Sequence, residues 1–253
     1  MAGDILFFLS SLAFIFLFFG ALDFFMLGLI KRQVGWVKVI VLGTCFVFLS
    51  VLALYLVFKA STGHDMKEYM DRELNRSVEA AVEAQRKAGL PEADIQAAKK
   101  QVELFVVKTA PAWSMLSVLF MVFLNYTFTR MYALKKFGIE HKMAPFSFWW
   151  LDLKVMWLAL AAMAVLAGRD LINNEAMQTA AINVLFVLGN LYFLIGLSVA
   201  SFFMDKRGMP GFVKILVYMS AVFLPLMSAV LIATGALDTW FSFRKAKAIN
   251  IKG

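Results

Sequence analysis

The chain has 253 residues, of which 62% are hydrophobic and only 17% charged. A soluble domain carries about a quarter charged residues to solvate its surface, and here the charges concentrate between Lys59 and Lys108, so a water-soluble globule is excluded. The net charge of +8 sits in short clusters beside apolar runs, at Lys31 and Arg32, Lys135 and Lys136, Lys206 and Arg207, and Arg244 and Lys245; such clusters orient helices against an anionic leaflet and argue against nucleic acid as a partner.

A spanning helix needs about 20 apolar residues. Six segments meet that length: 5–30, 36–58, 112–134, 146–167, 176–204 and 211–236. The predicted fold class is therefore all-α, a polytopic transmembrane bundle of about six spanning helices. The first segment does not read as a signal peptide, because it lacks a basic n-region and a small-x-small cleavage site before Lys31. The short link Lys31-Arg32-Gln33-Val34-Gly35 makes the first two helices an antiparallel hairpin, so residues 1–60 form one region.

Residues 61–110 form a polar excursion, read as an extramembrane amphipathic helical hairpin broken at Gly89-Leu90-Pro91. Pro91 suits the first position of its second helix, with Glu92 and Asp94 in the positive first turn. Leu74, Val78, Ala81 and Val82 share one face of the first helix, and Ile95, Val102 and Phe105 one face of the second. The hairpin lies against the membrane or caps the bundle, or else it is a solvated loop with no partner.

Residues 111–253 carry the other four segments and a basic tail. Gly138 and Pro145, Asn173-Asn174, and Gly208-Met209-Pro210-Gly211 mark their connections, and Pro225 kinks the last segment. Basic residues in the short connections 31–38, 130–154 and 205–214 place those loops inside and the N-terminus outside. The tail Phe243-Arg244-Lys245 then falls on the wrong side, unless the last segment does not span simply.

No catalytic motif is present. The two histidines, His64 and His141, both fall in loops, and Cys45 is the only cysteine, which leaves no His-based zinc site, no Ser–His–Asp machinery and no disulfide. We expect no enzyme activity, no metal and no cofactor. Polar groups inside apolar segments say more, because each is costly unless it faces protein or water. Asp23 in the first segment is an intramembrane charge, either the partner of a proton, cation or amine, or a residue that snorkels to the interface or pairs structurally with Arg32. Asn183, Asn190 and Ser201 fall within about 20° of one another at 100° per residue, with Ser198 about 60° to one side. Asn125, with Tyr126 beside it, and Ser228 stand ready to join them. This stripe either binds a small solute or glues helices together. Small-x-x-x-small pairs at Ala164/Gly168, Ala176/Ala180 and Gly196/Ala200 permit close packing. Trp149 and Trp150 read as an interfacial belt, and Arg169-Asp170 as a local surface pair.

Residues 20–247 resemble the YybS-like family of predicted bacterial membrane proteins, a domain of unknown function. The resemblance rests on Asn125-Tyr126 with Arg130, Leu134 before Gly138, Pro145-Phe146 followed by Trp149, Asn183, and Leu191-Tyr192 before Gly196-Leu197. It continues through Phe202-Phe203 before Gly208 and Pro210, then Gly235-x-x-Asp238 leading to Phe243-Arg244-Lys245. It implies a likeness to the membrane-embedded substrate-binding components of energy-coupling-factor transporters, and further hydrophobic helices upstream of the matched part. The Ala-x-x-x-Ala docking motif of those components is missing from the first segment, where Ala13 and Ala21 stand with Leu17 between them. The leading expectation is a multi-pass protein of the bacterial cytoplasmic membrane, carrier-like, that binds a small solute between segments 112–134, 176–204 and 211–236. The alternative is a structural or assembly protein that engages a membrane partner, or a second copy of itself, through the hairpin.

Overall fold

The computed structural model describes residues 2–63, 66–89, 91–102 and 107–244, with the side chains of the first helix described from Phe16 onward. Among the described residues the fold is all-helical: α1 (Ala2–Lys31), α2 (Trp36–Thr62), α3 (Met66–Lys87), α4 (Glu92–Val102), α5 (Ala110–Phe137), α6 (Leu153–Ala167), α7 (Glu175–Lys206), α8 (Gly211–Phe223) and α9 (Pro225–Phe241). A short 3-10 turn, Phe146–Phe148, precedes α6.

Three described helices, α2, α5 and α7, are long and apolar enough to cross a bilayer, or four counting α8 and α9 as one broken span. The sequence predicts about six. Two differences have local causes. The predicted segment 146–167 is not one helix: Asp152 adopts extended geometry and caps α6 by accepting from the Lys154 N–H at 2.9 Å, leaving a helix of 15 residues. The last segment is broken rather than kinked. Pro225 lacks an N–H and disfavours helical geometry at the residue before it, so Leu224 is extended and α8 and α9 meet at 103°. Ser228 Oγ donates to the Ala221 carbonyl at 2.6 Å, an oxygen that the break deprives of its helical donor, while the Leu224 carbonyl accepts from the Ser228 N–H at 3.0 Å.

The chain divides into two compact units. The first comprises 1–107 and 117–141; the second comprises 108–116 and 142–253. In the first, α1, α2 and α5 close on a core of Leu22, Met26, Ile30, Val39, Val122 and Tyr126, all fully buried. A Cβ on Gly43 would fall on the terminal methyl of the flexible Met26 side chain and crowd Val122 at 3.0 Å. The hairpin of α3 and α4 also belongs to this unit. Arg86 grips both carboxylate oxygens of Glu92 (2.7 and 3.2 Å) across the left-handed Gly89, and Ile95 is buried. The second helix starts at Glu92, one residue later than predicted, because Pro91 supplies carbonyl acceptors to the Asp94 and Ile95 N–H groups from outside it. The side chains of Leu74, Val102 and Phe105, predicted for the apolar faces, lie outside the described residues.

In the second unit Met156 and Ala159 of α6 pack on Leu188 and Tyr192 of α7, with Ile232 and Ala236 of α9 beside them. The α7–α9 contact is backbone to backbone. A Cβ on Gly196 would fall on the Leu231 carbonyl, and one on Gly235 on the Tyr192 carbonyl. Of the small-residue pairs marked in the sequence, Gly196 is the one whose size the packing requires.

Candidate solute-binding site

Two polar clusters stand out, one inside each unit. In the first unit, α1 and α5 bring Asp23 and Thr129 together, and Thr129 Oγ1 lies 2.6 Å from Asp23 Oδ1 and 2.9 Å from the Asn125 carbonyl. A hydroxyl has one proton, so it serves one of these acceptors at a time. Asp23 Oδ2 takes no hydrogen bond, and no Lys or Arg pairs with the carboxylate, among the described residues. The structural pair with Arg32 is thus not formed; Asp23 reaches across to α5 instead. It opens onto a cleft of about 290 Å³ walled by Phe24, Leu27, Phe128, Thr129 and Tyr132. Asn125 is buried and its Oδ1 has no partner among the described residues, as is true of Thr44 Oγ1 on α2.

One end of this unit is tied by a residue that sequence reasoning passed over. His141 is buried, with Nε2 2.7 Å from the Val34 carbonyl and Nδ1 2.8 Å from the Tyr126 hydroxyl. A carbonyl only accepts, so Nε2 carries the proton and, in the neutral ring, Nδ1 accepts from Tyr126. The α1–α2 link is thereby pinned to α5 and to the loop after it. Gln33, in left-handed geometry, adds a donation to the Glu140 carbonyl at 3.3 Å.

The second cluster is built around Arg244. Ser242 is left-handed and turns the chain back at the end of α9, which carries the guanidinium into the unit, where its side chain is fully buried. Nη1 donates to the Ser147 carbonyl (2.6 Å) and Ser198 Oγ (2.5 Å); Nη2 donates to the Trp149 carbonyl (2.8 Å) and Asp238 Oδ2 (2.8 Å). Ser198 in turn donates to the Phe146 carbonyl at 2.5 Å. Of these carbonyls, that of Phe146 also accepts from the Trp149 N–H at 3.1 Å in the 3-10 turn, whereas those of Ser147 and Trp149 reach Arg244 because the stretch does not continue as a helix. Arg244 Nε and Asp238 Oδ1 remain without partners among the described residues. The difficulty that the sequence raises over the basic tail eases here: Arg244 is a packed core residue, not a surface charge. Lys245 lies outside the described residues. Beside this cluster Ala200 and Phe203 of α7, Leu231 and Thr234 of α9, and Phe243 line an open apolar groove of about 470 Å³.

The residues proposed from sequence for solute binding are dispersed. Asn183 holds the start of α5, with Nδ2 donating to the carbonyls of Lys108 (2.7 Å) and Thr179 (2.8 Å) and Oδ1 accepting from the Ala112 N–H (2.8 Å). Asn190 is exposed and bonds its own helix at the Phe186 carbonyl. Ser198 belongs to the Arg244 cluster, Ser201 is buried one turn on, and Ser228 spans the α8–α9 break. Asn125 and Asp23 are the two that come together, linked through Thr129. Arg169 and Asp170 form an exposed pair at 3.7 Å.

An all-helical, strongly apolar chain with several helices of spanning length is a membrane protein. The family described as predicted membrane protein (DUF2232) matches residues 4–239, and the chain belongs to it. No curated protein and no solved structure matches the chain. The likeness to energy-coupling-factor components therefore rests on the sequence resemblance alone.

Proposed function

We propose that this chain is a non-catalytic, carrier-like protein of the bacterial cytoplasmic membrane that binds a small solute in the cleft at Asp23. One observation carries the reading: a carboxyl group on an apolar 30-residue helix, with a threonine hydroxyl and no cationic side chain as its partner among the described residues, faces a cleft. A charge in such a helix is costly and marks a ligand or ion path by default. The Arg244 cluster in the other unit has the opposite character. Its charges neutralise each other and the four Nη hydrogens of Arg244 all find acceptors, so its role in this account is structural.

The test is native mass spectrometry of the full chain released from nanodiscs. A small molecule is expected to co-purify with the wild type and to be lost from Leu27→Trp, which fills the cleft. A wild type that carries no small molecule, and takes none up from a metabolite extract, ends the solute reading. A second reading has its own observation: α3 and α4 form a hairpin closed by Arg86 and Glu92, with charged side chains turned outward. An assembly protein using that surface loses its partner when residues 66–102 are deleted, whereas a solute binder keeps its ligand.

A further inference from the structure

We propose that the Asp23 cleft is a site for an organic ammonium group. This rests on the solute-binding reading and specifies its chemistry. Three features of the cleft converge on such a cation. The first is the free carboxylate oxygen: Asp23 Oδ1 is held by Thr129, and Oδ2 is left as an acceptor among the described residues. The second is the composition of the walls. Phe24, Phe128 and Tyr132, all exposed, line the same cleft as the carboxylate, and an aromatic ring that turns its face to a cation attracts it while offering an anion or a neutral polar group nothing comparable. The third is size, about 290 Å³, at the small end of ligand cavities.

A metal ion fits poorly. Among the described residues no group of three His, Cys, Asp or Glu side chains converges anywhere, and a hard divalent cation asks for six or more oxygen ligands, or several waters in their place. An ammonium needs far less from the protein. One N–H donates to Asp23 Oδ2, the charge is balanced by the carboxylate, and the alkyl part rests on Leu27 and the rings. Thr129 accommodates both states of the site. Its single proton turns to Asp23 or to the Asn125 carbonyl, both within hydrogen-bond reach, so the carboxylate is freed for a ligand without stranding the hydroxyl.

The ammonium comes either from a free amine or from an aminophospholipid headgroup, and the experiment separates the two. The full-length protein is placed in phosphatidylglycerol nanodiscs and titrated with n-butylammonium, with n-butanol as the neutral isostere, followed by saturation-transfer NMR. We expect binding of n-butylammonium and not of n-butanol. Asp23→Asn preserves the acceptor for Thr129 and is expected to weaken the amine about 10- to 100-fold, the range for losing a hydrogen bond to a charged group. Phe128→Leu, a milder change, weakens it by about two- to thirtyfold through the lost ring face. A headgroup source shows itself when phosphatidylethanolamine in the nanodisc competes out the free amine; without competition the ligand is a free amine. Equal binding of n-butanol, or unchanged n-butylammonium affinity in Asp23→Asn with an intact melting transition, overturns the ammonium assignment. In that case a co-purifying molecule in native mass spectra still upholds solute binding, so the two claims fail separately.

Discussion

Removing the guanidinium of Arg244 should be among the most damaging single changes in the second unit. In the folded chain its four Nη hydrogens go to Ser147 O, Trp149 O, Ser198 Oγ and Asp238 Oδ2, and the ion-paired side chains are 0% and 4% exposed. In Arg244→Ala the Asp238 carboxylate is left buried without its counter-charge, which costs about 3–5 kcal/mol. Two backbone carbonyls also lose donors, at about 1–3 kcal/mol each where water does not replace them. The destabilisation should therefore be at least about 3 kcal/mol. The pair itself is a different matter, since a buried ion pair is often no better than a well-packed apolar substitute. Arg244→Met with Asp238→Leu should therefore recover most of the loss and come within about 2 kcal/mol of the wild type. The measurement is equilibrium unfolding in mixed micelles at rising SDS fraction, followed by the intrinsic fluorescence of the six tryptophans, with all four corners of the cycle. A single-variant cost below about 1 kcal/mol, or a double variant that simply adds the two single losses, refutes the buried-pair account.

Other changes probe the remaining structure. Gly235→Ala places a methyl on the Tyr192 carbonyl of α7 and should cost about 1–3 kcal/mol as overpacking, whereas Gly189→Ala, which meets nothing within 4 Å, should not destabilise; thermal melts of the two variants give the comparison. Tyr126→Phe removes the donor to His141 Nδ1 and should cost about 1–3 kcal/mol, read as faster amide exchange around Val34. In the hairpin, Arg86 holds the Glu92 carboxyl below the usual carboxylate range, through its hydrogen bond first. A carboxylate lowered on folding contributes stability above its unfolded value and loses it as pH falls through the folded one. Amide protection at the α3–α4 turn should accordingly drop on acidification below the ordinary carboxylate range, and Glu92→Gln should flatten that dependence.

Much of the architecture was legible in the sequence because it follows from length and hydropathy. Segment 36–58 becomes α2, 112–134 becomes α5 and 176–204 becomes α7, each extended by a turn or less at either end. What hydropathy does not see is where an apolar run is interrupted by its own hydrogen bonding. Asp152 takes a helix-capping role inside a predicted span, and Pro225 splits the last one. The polar stripe of α7 shows the same limit. Angular spacing places Asn183, Asn190 and Ser201 on one face, but a face is not a cavity, and Asn183 meets the start of α5 while Asn190 bonds its own helix. Asp23 was recognisable as a costly charge; its partner Thr129, 106 positions away, was not, because nothing local links them. The Arg244 cluster was within reach. Gly235, Asp238 and Arg244 stand close together in the sequence, and an acid and a base six residues apart around a helix end suggest a pair; the basic tail was instead weighed as a topology signal.

The central claim, that Asp23 Oδ2 faces a ligand and not a cationic side chain of the protein, is tested most directly by an experimental density map of the full chain in a lipid nanodisc. The account predicts compact density within hydrogen-bond distance of Asp23 Oδ2, between Phe24, Phe128 and Tyr132. A lysine or arginine of the chain folded onto Asp23, or a cleft filled by nothing but acyl chains, would contradict it.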